Sequence, residues 1–506
     1  MNGKINEFTE RFFFLTGHFK YMYRFLPFIL LCFFTEKCFA QDRVATYILS
    51  PEELLARDVK MFTDNSGNLL ADIVSYTGNS RVLFKEGELP KVVFKEQKST
   101  DRSFLKTRSF ERLATNYANG FLYDCYYSSK NDEVFFTALN TDGSFAIVTD
   151  TLSLNPQERI AGVFQDDEIF YVVTYIKDSD ALSIHVKKNG KKIVSVEKVI
   201  APGKIVSDKK NKVHLFSDFF KKDKNGSYII YSNSYPVPAY LSLAKKKVYQ
   251  FKDKLVFTIE NPNYQTNLIT VSLNDFTVEY NSVSPPPGFT SDKIFLPGNS
   301  LLNGDLLLKT GNYGDTFFIK ATNIYTGKVL LNSTINASSF DSVYVNPLLQ
   351  TGNDDTLPAK RIKELARHFK SLTINVSKDS NFFDVGLSSY FENMTGWDIF
   401  LSVVTSVAAT YAINSSPNSM GVSMTQFKHT GTLTINNSLD INTGKVIRNR
   451  NAKFAVDEWQ ERMKEADDFA KEFSYREDRP QMTAVGNNMY VSILDPQQGK
   501  LLIYKF

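Results

Sequence analysis

Thr326-Gly327-Lys328-Val329 returns as Thr443-Gly444-Lys445-Val446, and Gln498-Gly499-Lys500-Leu501 is a looser third copy near the end of the chain. Each copy lies between runs of alternating apolar and polar residues, the period of a half-buried strand, so each reads as a β-hairpin turn. The glycine supplies the positive φ that such turns need. A hairpin that recurs along a chain is how a toroidal or stacked all-β protein is written.

Working outward from these turns, strand follows strand from about residue 66. Ile169–Ile176 is one apolar run, and Leu182–Val186 and Lys192–Val196 flank the turn Lys188-Asn189-Gly190-Lys191. Asn-Gly between such runs is a strong hairpin signal, since both central positions of a type I′ turn need positive φ. Lys224-Asn225-Gly226-Ser227 repeats the device before Tyr228–Tyr231. The runs 255–259 and 268–273, then 306–309 and 317–320, continue the rhythm. Units of some 35–50 residues without a long helix exclude a parallel βαβ sheet and fit four-stranded propeller blades. The expected fold is therefore all-β: a single propeller of about seven blades over 41–340, closed by strands in 481–506. The last run is expected to pair with the beginning of the chain, because a ring leaves no free edge.

An interruption spans 341–480, the long gap between the two copies of the repeated turn. Thr356 as N-cap and Pro358 in the first turn predict a helix with the stripe Ile362, Leu365, Ala366 and Phe369 and a basic outer face. A second helix is expected over Val456–Phe473, with an acidic outer face. Between them, Trp397–Ile413 carries one charge, Asp398. It reads as a pair of core strands or a projecting hairpin. Trp397, Phe400, Val404 and Tyr411 are its candidate partner contacts, and membrane association is the less favoured alternative.

The start of the chain reads as a leader. Arg24 precedes the apolar run Phe25–Phe34, and Cys38-Phe39-Ala40 places small residues where cleavage before Gln41 requires them. Translation from Met22 would shorten this segment; a type II anchor is the other reading. Loss of residues 1–40 removes Cys32 and Cys38 and leaves Cys125, so the exported chain has no disulfide framework. The expected location is the periplasm, the cell surface or the medium. Hydrophobic residues make up 42% of the chain and aromatic residues 14%, enough for a large core. With 59 Lys and Arg against 55 Asp and Glu and no long basic block, nucleic acid is not an expected partner.

Catalytic patterns are sparse. His18 lies in the leader, and His185, His214, His368 and His429 have no metal-ligand spacing, so neither a metal nor a cofactor is expected. Gly421-Val422-Ser423-Met424-Thr425 lacks the second glycine of a nucleophile elbow. Asp64–Asn68 and Asp223–Ser227 lack the spaced carboxylates of a calcium loop and read as turns. Cys125, in the run Leu122–Tyr127, reads as a buried structural thiol.

Two resemblances are carried by these turns. Asn140–Phe145 resembles the Asp-box turn of sialidase-type propellers, in one copy and without its tryptophan. The Thr-Gly-Lys-Val turns resemble the blade turn of the quinoprotein (PQQ-repeat) and WD40-like propeller superfamily. That resemblance implies propeller geometry. It implies no cofactor, because the tryptophans that lock quinoprotein blades are missing: Trp397 and Trp459 are the only two in the chain. The expected function is an exported, non-catalytic binding or scaffold protein of a bacterial cell envelope, with a protein, peptide or carbohydrate ligand at the channel mouth. The alternatives are a propeller hydrolase or lyase with a site at that mouth, and an envelope-complex subunit that meets a membrane partner through 397–413.

Overall fold

The computed structural model describes most of residues 42–506. Outside it lie 1–41, 98–109, 141–146, 200–214, 221–227, 233–244, 290–298, 336–348, 359–371, 391–431, 441–445, most of 448–480 and several short turns.

The chain opens with strand β1 (Asp42–Ile48) and a single 3-10 turn, Glu53–Leu55. Sheet I follows: β2 (Ala56–Thr63), β3 (Leu69–Ser75), β4 (Gly78–Phe84) and β5 (Lys91–Gln97). Sheet II holds β6 (Phe110–Ala118), β7 (Phe121–Ser128), β8 (Glu133–Asn140) and β9 (Ile147–Ser153). Sheet III holds β10 (Glu158–Asp166), β11 (Ile169–Ile176), β12 (Ala181–Lys188) and β13 (Val194–Val199). Sheet IV holds β14 (Ile229–Ser232), β15 (Lys246–Gln250), β16 (Lys254–Glu260), β17 (Thr266–Ser272) and β18 (Val278–Val283). Sheet V holds β19 (Asn299–Asn303), β20 (Leu306–Tyr313), β21 (Thr316–Asn323) and β22 (Val329–Ile335). Sheet VI gathers β23 (Leu349–Gly352), β24 (Asp355–Pro358), β25 (Leu372–Asp379), β26 (Phe382–Tyr390), β27 (Thr432–Asp440) and β28 (Val446–Ile447). The last strands, β29 (Gln481–Val485), β30 (Asn488–Asp495) and β31 (Lys500–Lys505), form sheet VII together with β1.

Strand order within the sheets defines the architecture. Sheets I, II, III and V are simple antiparallel meanders of four strands consecutive in sequence. Edge strands touch across seams: β2 meets β29, β6 meets β10 and β19 meets β25. The first strands of sheets I, II and III carry a register shift at the same place, between Ala56 and Asp58, Arg112 and Ala114, and Ile160 and Gly162. This is a repeat in backbone geometry that the side chains do not spell out. In sheet VII the order is β1-β31-β30-β29, so the first strand completes the sheet begun by the last three. Leu49 N–H donates to the Gly499 carbonyl at 2.8 Å just beyond the paired strands. Such a set of sheets, sealed by a strand from the opposite terminus, is a β-propeller.

The three glycine phrases all lie between paired antiparallel strands. At 323–328, Asn323 N–H donates to the Lys328 carbonyl at 2.9 Å and Gly327 N–H to the Asn323 carbonyl at 3.0 Å. The Asn323 Oδ1 accepts from the N–H groups of Tyr325 and Thr326. Gly327 has φ +69° and open space around it, whereas a Cβ on Gly499, at φ +65°, would meet Leu54 Cδ2 at 3.1 Å. Gly444 lies outside the described residues, but β27 and β28 on either side pair antiparallel.

Several expectations need correction. Strands β1 and β2 precede the rhythm read from about residue 66 and fall within the 41–340 span expected for the ring. The first helix does not begin at Thr356: Asp355–Pro358 is strand β24, paired with β23, because the edge position tolerates Pro358, which has no N–H to donate. The rest of that helix falls outside the described residues. Tyr228–Tyr231 does not close a local hairpin; β14 pairs parallel with β15. Of the second helix, the described residues Arg462, Glu465, Ala466 and Phe469 are helical. Ala466 and Phe469 are buried, and the Phe469 ring packs on Tyr504 and Phe506 at 4.8 and 5.3 Å. This helix therefore braces the closing strand. Trp397–Ile413 lies outside the described residues.

Closure concentrates stability in β31, whose Leu501 and Ile503 are fully buried against sheet I residues Ala71, Ile73 and Val82. Ile503→Ala should cost about 2–5 kcal/mol in urea unfolding. Deleting residues 500–506 should lower the melting temperature further still; an unchanged melting temperature would contradict sealing by this strand.

Candidate functional site

A seam between two sheets buries both faces, so any polar side chain that the pleat turns inward must find a partner there. Where these partners lie shows which chemistry is free.

Seam I/II holds four charged groups. Arg81 Nε and Nη1 donate to Asp72 at 2.7 Å and Asp124 at 2.6 Å, and Arg112 Nη1 donates to the other Asp72 oxygen at 2.5 Å. Thr115 Oγ1 donates to Asp124 at 2.6 Å, and the Phe62 ring lies against both guanidinium groups. Burial opposes the Asp72 carboxylate, but Arg81 and Arg112 more than offset it and hold its pKa below the usual range. Two acids and two arginines neutralise one another; the cluster is an electrostatic staple between sheets.

Seam IV/V is unbalanced. Glu260 accepts from Ser300 and from Thr266, and two fully buried lysines share it: Lys309 at 3.4 Å and Lys247 at 4.0 Å. Lys247 Nζ also donates to Asn299 Oδ1 at 3.1 Å. Burial, assisted by the charge on Lys309 and opposed by Glu260, brings the Lys247 pKa down to about 8.

Sheet III carries a polar ladder on its face toward sheet II. Glu158, Thr174, His185 and Ser195 stand one per strand from β10 to β13. His185 Nε2 meets Glu158 Oε1 at 2.7 Å and His185 Nδ1 meets Ser195 Oγ at 2.8 Å, while Thr174 Oγ1 donates to Glu158. Burial disfavours the Glu158 carboxylate, yet the His185 and Thr174 hydrogen bonds leave its pKa below the usual range. Carboxylate, imidazole and hydroxyl are the parts of a nucleophile relay. Here they run flat across a sheet to its outermost strand, and among the described contacts no pair of N–H donors converges beside Ser195. The ladder ties four strands together.

Cys125, in seam II/III, is fully buried, and burial followed by the charge on Asp124 pushes its thiol pKa well up; it stays protonated and packs as an apolar group. His214, His368 and His429 lie outside the described residues, as do Trp397, Phe400, Val404 and Tyr411. Among the described residues no three His, Cys, Asp or Glu side chains gather as a metal site, and no helix is long and apolar enough to cross a membrane.

What is left over is neutral. Asn116 on β6 is 0% exposed and Gln165 on β10 is 8% exposed, and neither side-chain amide has a hydrogen-bond partner through N or O. The pleat turns both into seam II/III. Asn116 stands opposite Tyr123 and two residues from Ala114, which stands opposite Cys125; Gln165 stands opposite Phe170 and two residues from Val163. Ala114, Cys125, Val163 and Phe170 share one apolar cluster, with Tyr123 packed against it. Two hairpin turns frame this end of the seam. Asn119 and Gly120 have φ +52° and +81°, and Asn119 Nδ2 donates to Glu168 Oε1 of the facing turn at 3.0 Å. Burial and then Glu168 raise the Tyr123 pKa. Gln250 Nε2 donates to the Gln165 carbonyl at 2.9 Å and fixes that backbone from sheet IV. Asn119-Gly120 is a hairpin signal legible in sequence; that Asn116 and Gln165 fall in the same seam is not.

No protein-family model matches the chain, and no curated protein matches its sequence. Among solved structures it is similar to the Dos1 propeller (11% identity, 92% of this chain and 95% of that one, TM-score 0.29). It is also similar to the WD40 domain of SCAP from fission yeast (12% identity, 89% and 84%, TM-score 0.29). A third is the SapL1 lectin in complex with alpha methyl fucoside (8% identity, 67% and 94%, TM-score 0.22). Scores this low carry no argument, and the propeller assignment rests on the strand order above.

Two outcomes test the staples. Arg81→Met leaves Asp72 and Asp124 short of a partner and should cost about 3–5 kcal/mol in urea unfolding. Lys247 has a folded pKa of about 8 against 10.5 for the free side chain. Between these values the unfolded chain holds a proton that the folded chain has lost, so this group makes stability rise with pH across the window. Urea midpoints at the two ends should show that rise in the wild type and a smaller one in Lys247→Met; equal slopes would contradict it.

Proposed function

We propose that this chain is a non-catalytic binding propeller, exported to a bacterial cell envelope. The observation that carries this reading is the division of polar groups. The buried charged groups of the seams are engaged with one another. Among the described residues single buried atoms of Ser50, Asn189, Ser217, Thr258, Asn261 and Thr322 also lack a partner, but Asn116 and Gln165 are the side chains with both polar atoms unpartnered, and such amides recognise by hydrogen bonds and supply neither a proton nor a nucleophile. Export is supported by the leader-like residues 24–40 and by a single cysteine beyond them, Cys125.

The reading fixes three results. The chain recovered from cells should begin at Gln41, as shown by mass spectrometry. A fluorophosphonate probe should leave Ser195 unmodified; labelling there that disappears in His185→Ala would overturn the non-catalytic reading. Asn116→Leu with Gln165→Met replaces two unpartnered buried amides by apolar groups of similar size and should raise stability by about 1–3 kcal/mol in thermal or urea unfolding, as expected of a binding site kept at a cost to the fold.

A further inference from the structure

The end of seam II/III carries enough chemistry to name a ligand class, an inference that rests on the binding reading above. Each free carboxamide offers two N–H donors and a carbonyl acceptor, and it does so whichever way the amide is turned. A ligand that satisfies both Asn116 and Gln165 must both donate and accept hydrogen bonds. The Glu168 carboxylate adds a further acceptor at the rim and disfavours an anion. Phe121 is 37% exposed, and its ring lies 6.0 Å from that of Tyr123. Phe121 and Tyr123 are two apart on β7, so both turn toward the same seam. The site thus runs from an exposed aromatic rim, through a half-buried tyrosine, to two buried amides above the floor of Cys125 and Phe170.

We infer that this seam binds a neutral saccharide. A pyranose ring presents a C–H face to an aromatic ring and hydroxyl groups, each both donor and acceptor, at its edge. Phe121 stacks on the C–H face, Asn116 and Gln165 pair with neighbouring hydroxyls, and Glu168 accepts from a third. Tyr123 is the cross-strand neighbour of Asn116, so its ring is the cover that an entering hydroxyl displaces. A peptide backbone also donates and accepts, but it does not call for the exposed ring or for the carboxylate.

The experiment probes the full exported chain on a glycan array and a peptide array, side by side with Asn116→Leu/Gln165→Met and with Gln165→Met alone. The free oligosaccharide of the strongest glycan signal is then titrated by saturation-transfer NMR. The inference expects glycan signals that the double variant loses, an affinity about thirtyfold weaker in that variant, and saturation transfer to ring C–H protons that Phe121→Ala abolishes. Peptide signals that depend on the two amides, with no glycan signal, would overturn the saccharide and keep the binding reading. Arrays indistinguishable between wild type and variants, with the variants merely more stable, would mean buried amides or a resident water only and would overturn both.

Discussion

Closure governs this molecule. A sheet with an open edge invites pairing with another chain, and a ring of sheets has no edge between its first and last members only if one strand crosses the break. Here β1 crosses it, hydrogen-bonded to β31 in sheet VII. The side chains of β31 then meet those of sheet I in one cluster, with Leu501 and Ile503 against Ile73 and Val82. Strands β1 and β31 are thus held by each other and by sheet I. The 3-10 turn beside them adds a polar lock: Glu53 accepts from Tyr47 of β1 and from Ser80 of sheet I.

The seams between neighbouring sheets follow two designs. Seam III/IV is apolar and aromatic. Phe216, Phe219 and Phe220 form a wedge whose rings meet Phe257 of sheet IV, and Phe220 stacks on Tyr175 of sheet III at 4.5 Å. Seams I/II and IV/V instead bury charge. A buried ion pair adds little net stability over an apolar contact of equal size, but it penalises any arrangement that separates the partners. Successive sheets of the same general pattern are interchangeable to a hydrophobic core alone. The Asp72–Arg81–Asp124 and Glu260–Lys309 contacts distinguish one seam from another.

Against this background the seam II/III end stands apart. Asp150 and Lys187 pair at 3.2 Å in the same seam, so charge there is already matched. Asn116 and Gln165 are matched by nothing in the described structure. Their cost to the fold falls at a place framed by two tight turns and an exposed aromatic ring. Unsatisfied polarity is tolerated where a ligand repays it, and the proposed recognition rests on these two amides, the side chains among the described residues with both polar atoms unpartnered.

The repeated Thr-Gly-Lys-Val turn made the all-β ring legible in sequence, because turn chemistry is local: φ at Gly327 and Gly499 depends on a few neighbouring residues. The Asn119-Gly120 turn is legible for the same reason. The buried thiol Cys125 follows from its strand-like run. The helix start expected at Thr356 is replaced by strand because capping signals are weak beside tertiary pairing, and β23 offered Asp355–Pro358 a partner. The expected pairing of the last run with the beginning of the chain is found in β1 and β31, although the bounds of β1 and β2 were not read, since β1 is defined less by its own pattern than by β31 far along the chain. The two amides of the candidate site were illegible. Asn116 and Gln165 are ordinary polar positions in alternating runs, and nothing near them in sequence tells on which side of a sheet they fall or what faces them. By itself the sequence determined the turns, the strand-rich character and the ring. The tertiary structure alone decided which sheets meet, which charges neutralise each other and which two amides are left free, because those depend on register and on contacts between residues far apart in the chain.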